Sequence, residues 1–345
     1  MYTSIYTKEI PVLLKQLANT TEMQRLSDVG MHCGCEYANF PIYRKAGAPY
    51  SRLKHSIGVS MIVWNFTQDI RQSIAGLFHD IATPVFAHTI DFLQGDHLVQ
   101  ESTEDKTLSI IENSKEITEL LRLHHIDIAD VSDYHKYPIA DNDTPGLSAD
   151  RLEYTLGNGF CVADCKVETL NRLYKDLTIL HNELGIEELG FRTIDAAKEF
   201  TEISLFNSRF FVSDEDRFSM EYLADIIRSA MNNGVIIQED FYLTEKEVIK
   251  KLMKDKRLSR MWMNYTELSA VASSTEKPAN RYCVNVSAKK RYIDPLVLIN
   301  DSAKRLSELD KSIHENIQTF LNLDFNKWLY AANPCHSDTV NNGMI

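Results

Sequence analysis

The sequence predicts an all-α, mainly helical protein that carries a small mixed α/β subdomain toward its C-terminal end. Apolar residues recur three and four apart through most of the chain, the spacing that builds one face of a helix. Strand-like alternation appears in a single place, "NRYCVNVSAKKRYIDPLVLI" (280–299), where Tyr282, Val284 and Val286 alternate with polar neighbours. No internal repeat or low-complexity tract interrupts the pattern.

Taken in order, "KEIPVLLKQLAN" predicts the first helix and "KHSIGVSMIVWNF" the next. Ser51 is the expected cap of the helix that carries His55, because its hydroxyl can accept from the free amides of the first turn. "SIAGLFHDIATPVFAHTIDF" (73–92) follows, with His79 and Asp80 closing an apolar run. Pro84 should end or kink that helix, since proline lacks an amide donor and clashes with the preceding turn. In one unbroken helix His79 and His88 would lie about two and a half turns apart and face opposite ways. A break at Pro84 lets the second segment fold back, so that His88 faces the same cavity as His79. "TLSIIENSKEITELLRLHH" predicts helix, and the proline- and aspartate-rich "YPIADNDTPGLSAD" is a loop delivering Asp150 to the start of the next one. "VETLNRLYKDLTILHNELG" (167–185) and "SMEYLADIIRSAMNNG" (219–234) are again helical. After the loop "STEKPAN" and the alternating stretch, helix resumes in "SAKRLSELDKSIHENIQTFL" (302–321). The expected organisation is a helical body over 1–275 with N-terminal and accessory helices, a mixed subdomain over 276–332, and a polar tail over 333–345.

Composition narrows the function classes. The chain has 345 residues, 44% of them hydrophobic and 25% charged, as in an ordinary globular protein. The net charge of -12 argues against broad nucleic-acid binding, though not against a small basic pocket for a phosphorylated ligand. No basic region precedes an apolar run at the N-terminus, and no uncharged stretch approaches the roughly 20 residues of a membrane span. The expectation is a cytoplasmic protein with no membrane partner and reduced cysteines. Cys33 and Cys35 beside His32 lack the second half of a zinc site, and Cys161 and Cys165 read as packing residues.

Four residues carry metal chemistry: His55, the adjacent His79 and Asp80, and Asp150. Two imidazoles and two carboxylates suit one divalent ion of borderline hardness. Manganese, iron, nickel and zinc fit this set; magnesium fits less well because of the imidazoles. Converging helices are a common way to build such a site. His88 and Asp91 are three apart and share a helix face. A carboxylate there orients the imidazole, which makes His88 a proton donor to a leaving oxygen or a base for water. His124 and His125 have a nearby aspartate but no matching partners and read as structural.

"SRLKHSIGV", "AGLFHDIATPVFAH" and "SADRLEY" resemble, in order and spacing, the successive motifs of the HD-domain metal-dependent phosphohydrolases. The resemblance is nearest to the deoxynucleotide triphosphohydrolase branch, covers about residues 40 to 160 well, and implies an HD-type helical bundle. By position it implies that His55, His79, Asp80 and Asp150 are the metal ligands and that His88, with Asp91 behind it, is the catalytic acid. It puts Arg52 on the substrate phosphates, and Arg151 and Tyr154 in the phosphate and sugar pocket. Oligomers are common in the family, so a homo-oligomer is among the expectations.

Two departures stand out: Thr83 replaces a second active-site histidine, and Thr103 and Glu104 fall where a further histidine is expected. Alarmone hydrolases carry acidic residues soon after the His-Asp pair, and cyclic-dinucleotide diesterases a Gly-Tyr-Pro signature; this chain has neither. The reading is hydrolysis of a phosphate ester or anhydride in a nucleotide-like small molecule, with a dNTP triphosphohydrolase as the finer expectation. The alternative is a non-catalytic nucleotide sensor that retains the metal site. Lys289, Lys290 and Arg291 read as a solvated basic turn, with a regulatory anion site as the other reading.

Overall fold

The computed structural model describes residues 5–6, 9–44, 50–94 and 106–332. At its centre is the helix Arg52–Thr67, where Leu53, Val59, Met61, Ile62 and Val63 are buried together with the polar Arg52, His55, Ser56 and Ser60. Ser51 caps it, accepting from the Lys54 amide at 3.4 Å. Gln68 ends it in the left-handed region, φ 54°. Asp69 then caps the helix Ile70–Phe78, accepting from the amides of Arg71 at 2.8 Å and Gln72 at 3.4 Å. So short a connection makes the two an antiparallel hairpin. Gly76 sits at their closest approach: a Cβ there would meet the side chains of Val59 and Val63, each at 3.3 Å.

The helix Ala149–Cys161 also packs on Arg52–Thr67, and Ile194–Phe211 packs on Ala149–Cys161. Asp214–Asn232 packs against the short helix Thr89–Gln94. The N-terminal helix Val12–Ala18 closes a second apolar cluster with Ile74, Leu77, Phe78, Ile117 and Leu121.

Five local expectations are corrected. The Ile70–Phe78 helix ends six residues before Pro84, and turns occupy 79–82 and 85–88. Turns replace the helical ladder, with the Ile81 amide donating to the Phe78 carbonyl and the Thr83 amide to that of Asp80, both at 2.9 Å, while Arg25 Nη2 holds the carbonyls of Ile81 at 3.0 Å and Thr83 at 2.7 Å; Pro84 has no amide to continue the ladder. The segment 107–125 is two helices, Thr107–Asn113 and Lys115–Leu123, because the Ser114 hydroxyl accepts from the Ile117 amide at 3.2 Å and starts a new one. The helix beginning at Val167 ends at Asp176; strand β1 (Leu177–His181) then pairs antiparallel with β2 (Glu187–Phe191), turning through Gly185 at φ 75°. Finally, Val284 makes only an isolated bridge to Leu329.

The strands beyond that are β3 (Val271–Ser274), β4 (Leu296–Ile299), β5 (Ser302–Arg305) and β6 (Trp328–Ala331). Thus "SAKR" is strand rather than the start of a helix, and helix Lys311–Leu321 follows. The larger sheet runs β1-β2-β4-β5, with only β2 and β4 parallel; β3 and β6 form a separate antiparallel pair. The chain is therefore mainly helical with a small mixed sheet, half of whose larger part comes from a region expected to be helical. The polar tail 333–345 and positions Thr103 and Glu104 lie outside the described residues. Among the described residues no helix is long and apolar enough to cross a membrane.

The sheet positions a loop. The Leu147 amide donates to Glu188 Oε1 of β2 at 3.0 Å, and the Leu189 amide donates back to the Leu147 carbonyl at 3.1 Å. Arg305 of β5 holds the same Glu188 carboxylate with two bonds, 2.6 and 2.9 Å. The loop ends at Ser148, whose hydroxyl accepts from the Arg151 amide at 3.2 Å, so Asp150 lands in the first helical turn.

Candidate metal centre

Three helices deliver the donors. His55 comes from the buried Arg52–Thr67 helix, His79 is the C-cap of Ile70–Phe78 with Asp80 one residue on, and Asp150 opens Ala149–Cys161. His55 Nε2 lies 3.1 Å from His79 Nε2 and 2.8 Å from Asp150 Oδ1. His79 Nε2 is 3.6 Å from Asp80 Oδ2 and 3.5 Å from Asp150 Oδ1. Ligand atoms of His55, His79 and Asp80 all lie within 4.8 Å of one another.

The nitrogens on the far sides of both rings are occupied. His79 Nδ1 faces the Gly76 carbonyl at 2.8 Å, which can only accept, so Nδ1 carries the proton. His55 Nδ1 donates to Glu153 Oε2 at 2.6 Å. Glu153 is fully buried and also accepts from the Tyr50 hydroxyl at 2.5 Å and the Tyr6 hydroxyl at 3.4 Å. Two glycines make room for it: a Cβ on Gly58 would lie 2.6 Å from Glu153, and one on Gly157 2.4 Å from the Tyr50 oxygen.

With both Nδ1 positions protonated, neutral rings aim two Nε2 lone pairs and the Asp80 and Asp150 oxygens at one small volume. Such a set repels itself without a positive charge in its midst, and it has the softness of a divalent first-row metal site. Burial opposes a charge on His55, yet its bonds to Asp150 and Glu153 prevail and push the imidazole up to about 10. The surroundings demand a cation there, and a divalent ion fits. Asp80 is held ready: burial raises its pKa, but Arg52, His79 and His55 outweigh burial and keep it well below the carboxylate range.

The donors line a cavity of about 750 Å³ that also receives Arg52, His88, Arg151 and Tyr154. Asp91 is buried, and its Oδ2 accepts from His88 Nδ1 at 3.0 Å, leaving Nε2 as the second nitrogen of a ring still 24% exposed. Burial lowers the His88 pKa more than Asp91 raises it, with Arg291 and Arg52 adding to the depression. Arg52 places Nη1 3.0 and 3.2 Å from the Asp80 oxygens. Thr83 donates to Asp80 Oδ1 at 2.8 Å. Arg151 donates Nη1 to the Gly146 carbonyl at 2.8 Å and Nη2 to that of Asn142.

Three features escaped the reading from sequence. Glu153 lies three residues after Asp150, a spacing that puts both carboxylates on one helix face and could have flagged it. Tyr134 and His135 lie just before the proline- and aspartate-rich loop, in a stretch with no helical or strand periodicity; their rings stack at 4.2 Å, and Tyr134 meets His79 edge-on at 5.9 Å. Lys289 and Arg291 line the cavity rather than forming a solvated turn.

No family model matches the chain. The uncharacterized protein YdhJ of Bacillus subtilis is 24% identical over 310 residues, covering 88% of this chain and 89% of YdhJ. The metal-dependent phosphohydrolase cns2 of Cordyceps militaris is 24% identical over 179 residues, 50% of this chain and 48% of that protein. Among solved structures, a phosphohydrolase from Bacteroides thetaiotaomicron superposes with a TM-score of 0.63 at 18% identity, over 94% of this chain and 97% of that one. A hypothetical protein from Aquifex aeolicus superposes at 0.60 with 16% identity, over 93% of each chain. These structural likenesses show a shared fold.

Proposed function

We propose that this chain is an HD-type metal-dependent phosphohydrolase that cleaves a phosphate ester or anhydride in a nucleotide-like substrate, with deoxynucleoside triphosphates the first candidates. One observation carries the reading: the lone pairs of His55, His79, Asp80 and Asp150 converge in a cavity that also holds the His88–Asp91 pair. The name borne by the cns2 relative supports it.

A metal held by these four residues would polarise a phosphoryl oxygen and acidify a bound water. The rest falls to the chain's own side chains. Arg52 and Thr83 fix the Asp80 carboxylate. Glu153 fixes the His55 ring and its tautomer. His88, oriented by Asp91 through Nδ1, has Nε2 free to take a proton from the attacking water, and the imidazolium so formed gives it to the departing oxygen. Tyr134, Tyr154 and Phe211 line the cavity with flat apolar faces suited to a base or sugar.

The test measures phosphate and triphosphate release from dNTPs, NMPs and simple phosphoesters with added manganese, beside an Asp80→Ala variant. Turnover that disappears in the variant establishes the hydrolase, and the product names the scissile bond. A specific observation favours a second reading, the nucleotide sensor: Thr83 stands where the resembled family has a histidine, and its hydroxyl is taken up by Asp80. Bound metal with no turnover of any substrate supports the sensor and rejects the hydrolase.

A further inference from the structure

Three arginines line the cavity, and their side chains are not equally engaged. The Arg52 guanidinium is held on Asp80, and that of Arg151 on two loop carbonyls. Arg291 is half-buried and makes no hydrogen bond or ion pair among the described residues.

Its position is nonetheless built. The stretch around it belongs to no helix or strand, and side chains pin it instead. Upstream, the fully buried Arg217 donates Nη1 to the Val286 carbonyl at 2.5 Å. Downstream, the Asp294 amide donates to the Pro145 carbonyl at 3.0 Å, and its carboxylate accepts from the Ser307 amide and hydroxyl at 2.9 and 2.6 Å. Between them Lys290 Nζ donates to the carbonyls of Leu321 and Leu323, both at 2.6 Å, beyond the end of the Lys311–Leu321 helix. With Lys290 anchored away, Lys289 and Arg291 both reach the cavity. His88 and Tyr154 line the same cavity.

A guanidinium is shaped for the paired oxygens of a phosphate. Holding one half-desolvated without a partner is unfavourable unless an anion arrives to bind it. We infer that Arg291, with Lys289 beside it in the cavity wall, forms a second phosphate subsite, so that the substrate carries a phosphate beyond the one at the metal ligands. The assignment of the first phosphate rests on the hydrolase reading; the second subsite is tested without turnover.

Tripolyphosphate and orthophosphate are titrated calorimetrically into the full chain with manganese present. Wild type, Arg291→Ala, Arg291→Lys and Lys311→Ala are compared, the last removing one charge from an exposed surface position. Wild type should bind tripolyphosphate more tightly than orthophosphate. Arg291→Ala should weaken tripolyphosphate by about 10- to 100-fold while changing orthophosphate by less than about threefold. Arg291→Lys should fall between, and Lys311→Ala should match wild type. Equal affinity of Arg291→Ala and wild type for tripolyphosphate overturns the subsite. So does the absence of any wild-type preference for tripolyphosphate, or an equal loss for both anions. Should Arg291→Ala fail to fold, Arg291→Lys decides, with unchanged tripolyphosphate binding counting against the subsite. Failure of the hydrolase reading appears separately, as metal bound with no turnover.

Discussion

Glu153→Gln is the sharpest probe of how the metal centre is held. Both short bonds to Glu153, from His55 Nδ1 at 2.6 Å and the Tyr50 hydroxyl at 2.5 Å, end on the same oxygen. A glutamine that places its carbonyl oxygen there keeps both donors satisfied, and its amino group takes the place of the oxygen that accepts from the Tyr6 hydroxyl at 3.4 Å. What disappears is the charge. A hydrogen bond to an ionised group contributes roughly 1 kcal/mol more than a neutral one, so the His55 ring loses basicity by about that amount. The expected result is a metal affinity lowered about tenfold, the lower end of what loss of such outer partners causes. Glu153→Ala is harsher: it strands the His55 Nδ1 proton and the Tyr50 hydroxyl in a fully buried pocket, at about 1–3 kcal/mol each. Competition against a chromogenic chelator gives the affinities, and melts with and without manganese give the stabilities. If Glu153→Gln binds metal within twofold of wild type, Glu153 is a packing residue and the reasoning fails.

Gly58→Ala should mimic that loss without touching a ligand, since its Cβ would lie 2.6 Å from Glu153; the same chelator competition reads it, and unchanged affinity counts against the close approach. His88→Gln should lower kcat by about 10²- to 10⁴-fold on the best substrate while leaving manganese affinity unchanged. Burial is the main influence on Asp216 and pushes it up to about 7, against the Tyr43 hydroxyl bond at 2.7 Å. The folded state therefore holds this proton where the unfolded chain, near 3.8, has released it. Its effect on stability is most favourable at low pH and declines as pH rises toward 7, by at most about 1.4 kcal/mol per unit. Urea midpoints at pH 5 and 7 should differ less in Asp216→Asn than in wild type, and an equal difference refutes the assignment. Glu188→Ala removes the bidentate partner of a buried Arg305 and a bond to the loop before Asp150. It should cost on the order of 3 kcal/mol in urea unfolding; Arg305 also donates to Glu183 at 2.7 and 3.0 Å, and a loss below about 1 kcal/mol would mean that Glu183 alone suffices.

Periodicity was enough for most helices because burial of one face is a local demand that each segment answers for itself. It failed at 177–181, where "LTILH" satisfies strand alternation as well as it continues the preceding helix; pairing with Glu187–Phe191 decides, and that partner is a tertiary fact. It failed again at 79–83, where a stretch still in apolar register runs as turns whose carbonyls are held by the guanidinium of Arg25, 56 and 58 residues upstream.

The site divides along the same line. Residue type and order alone single out His55, His79, Asp80 and Asp150 as metal-ligand candidates and pair His88 with Asp91, because donor chemistry belongs to the side chain itself and a three-residue offset is geometry the helix supplies. Which lone pairs converge was decided only by three helices meeting, since no spacing along the chain sets the 3.1 Å between His55 and His79. The same holds for Arg291. Whether a basic turn is solvated or aimed into a cavity depends on what its neighbours hold, and here Arg217, Asp294 and Lys290 take the partners that fix its direction.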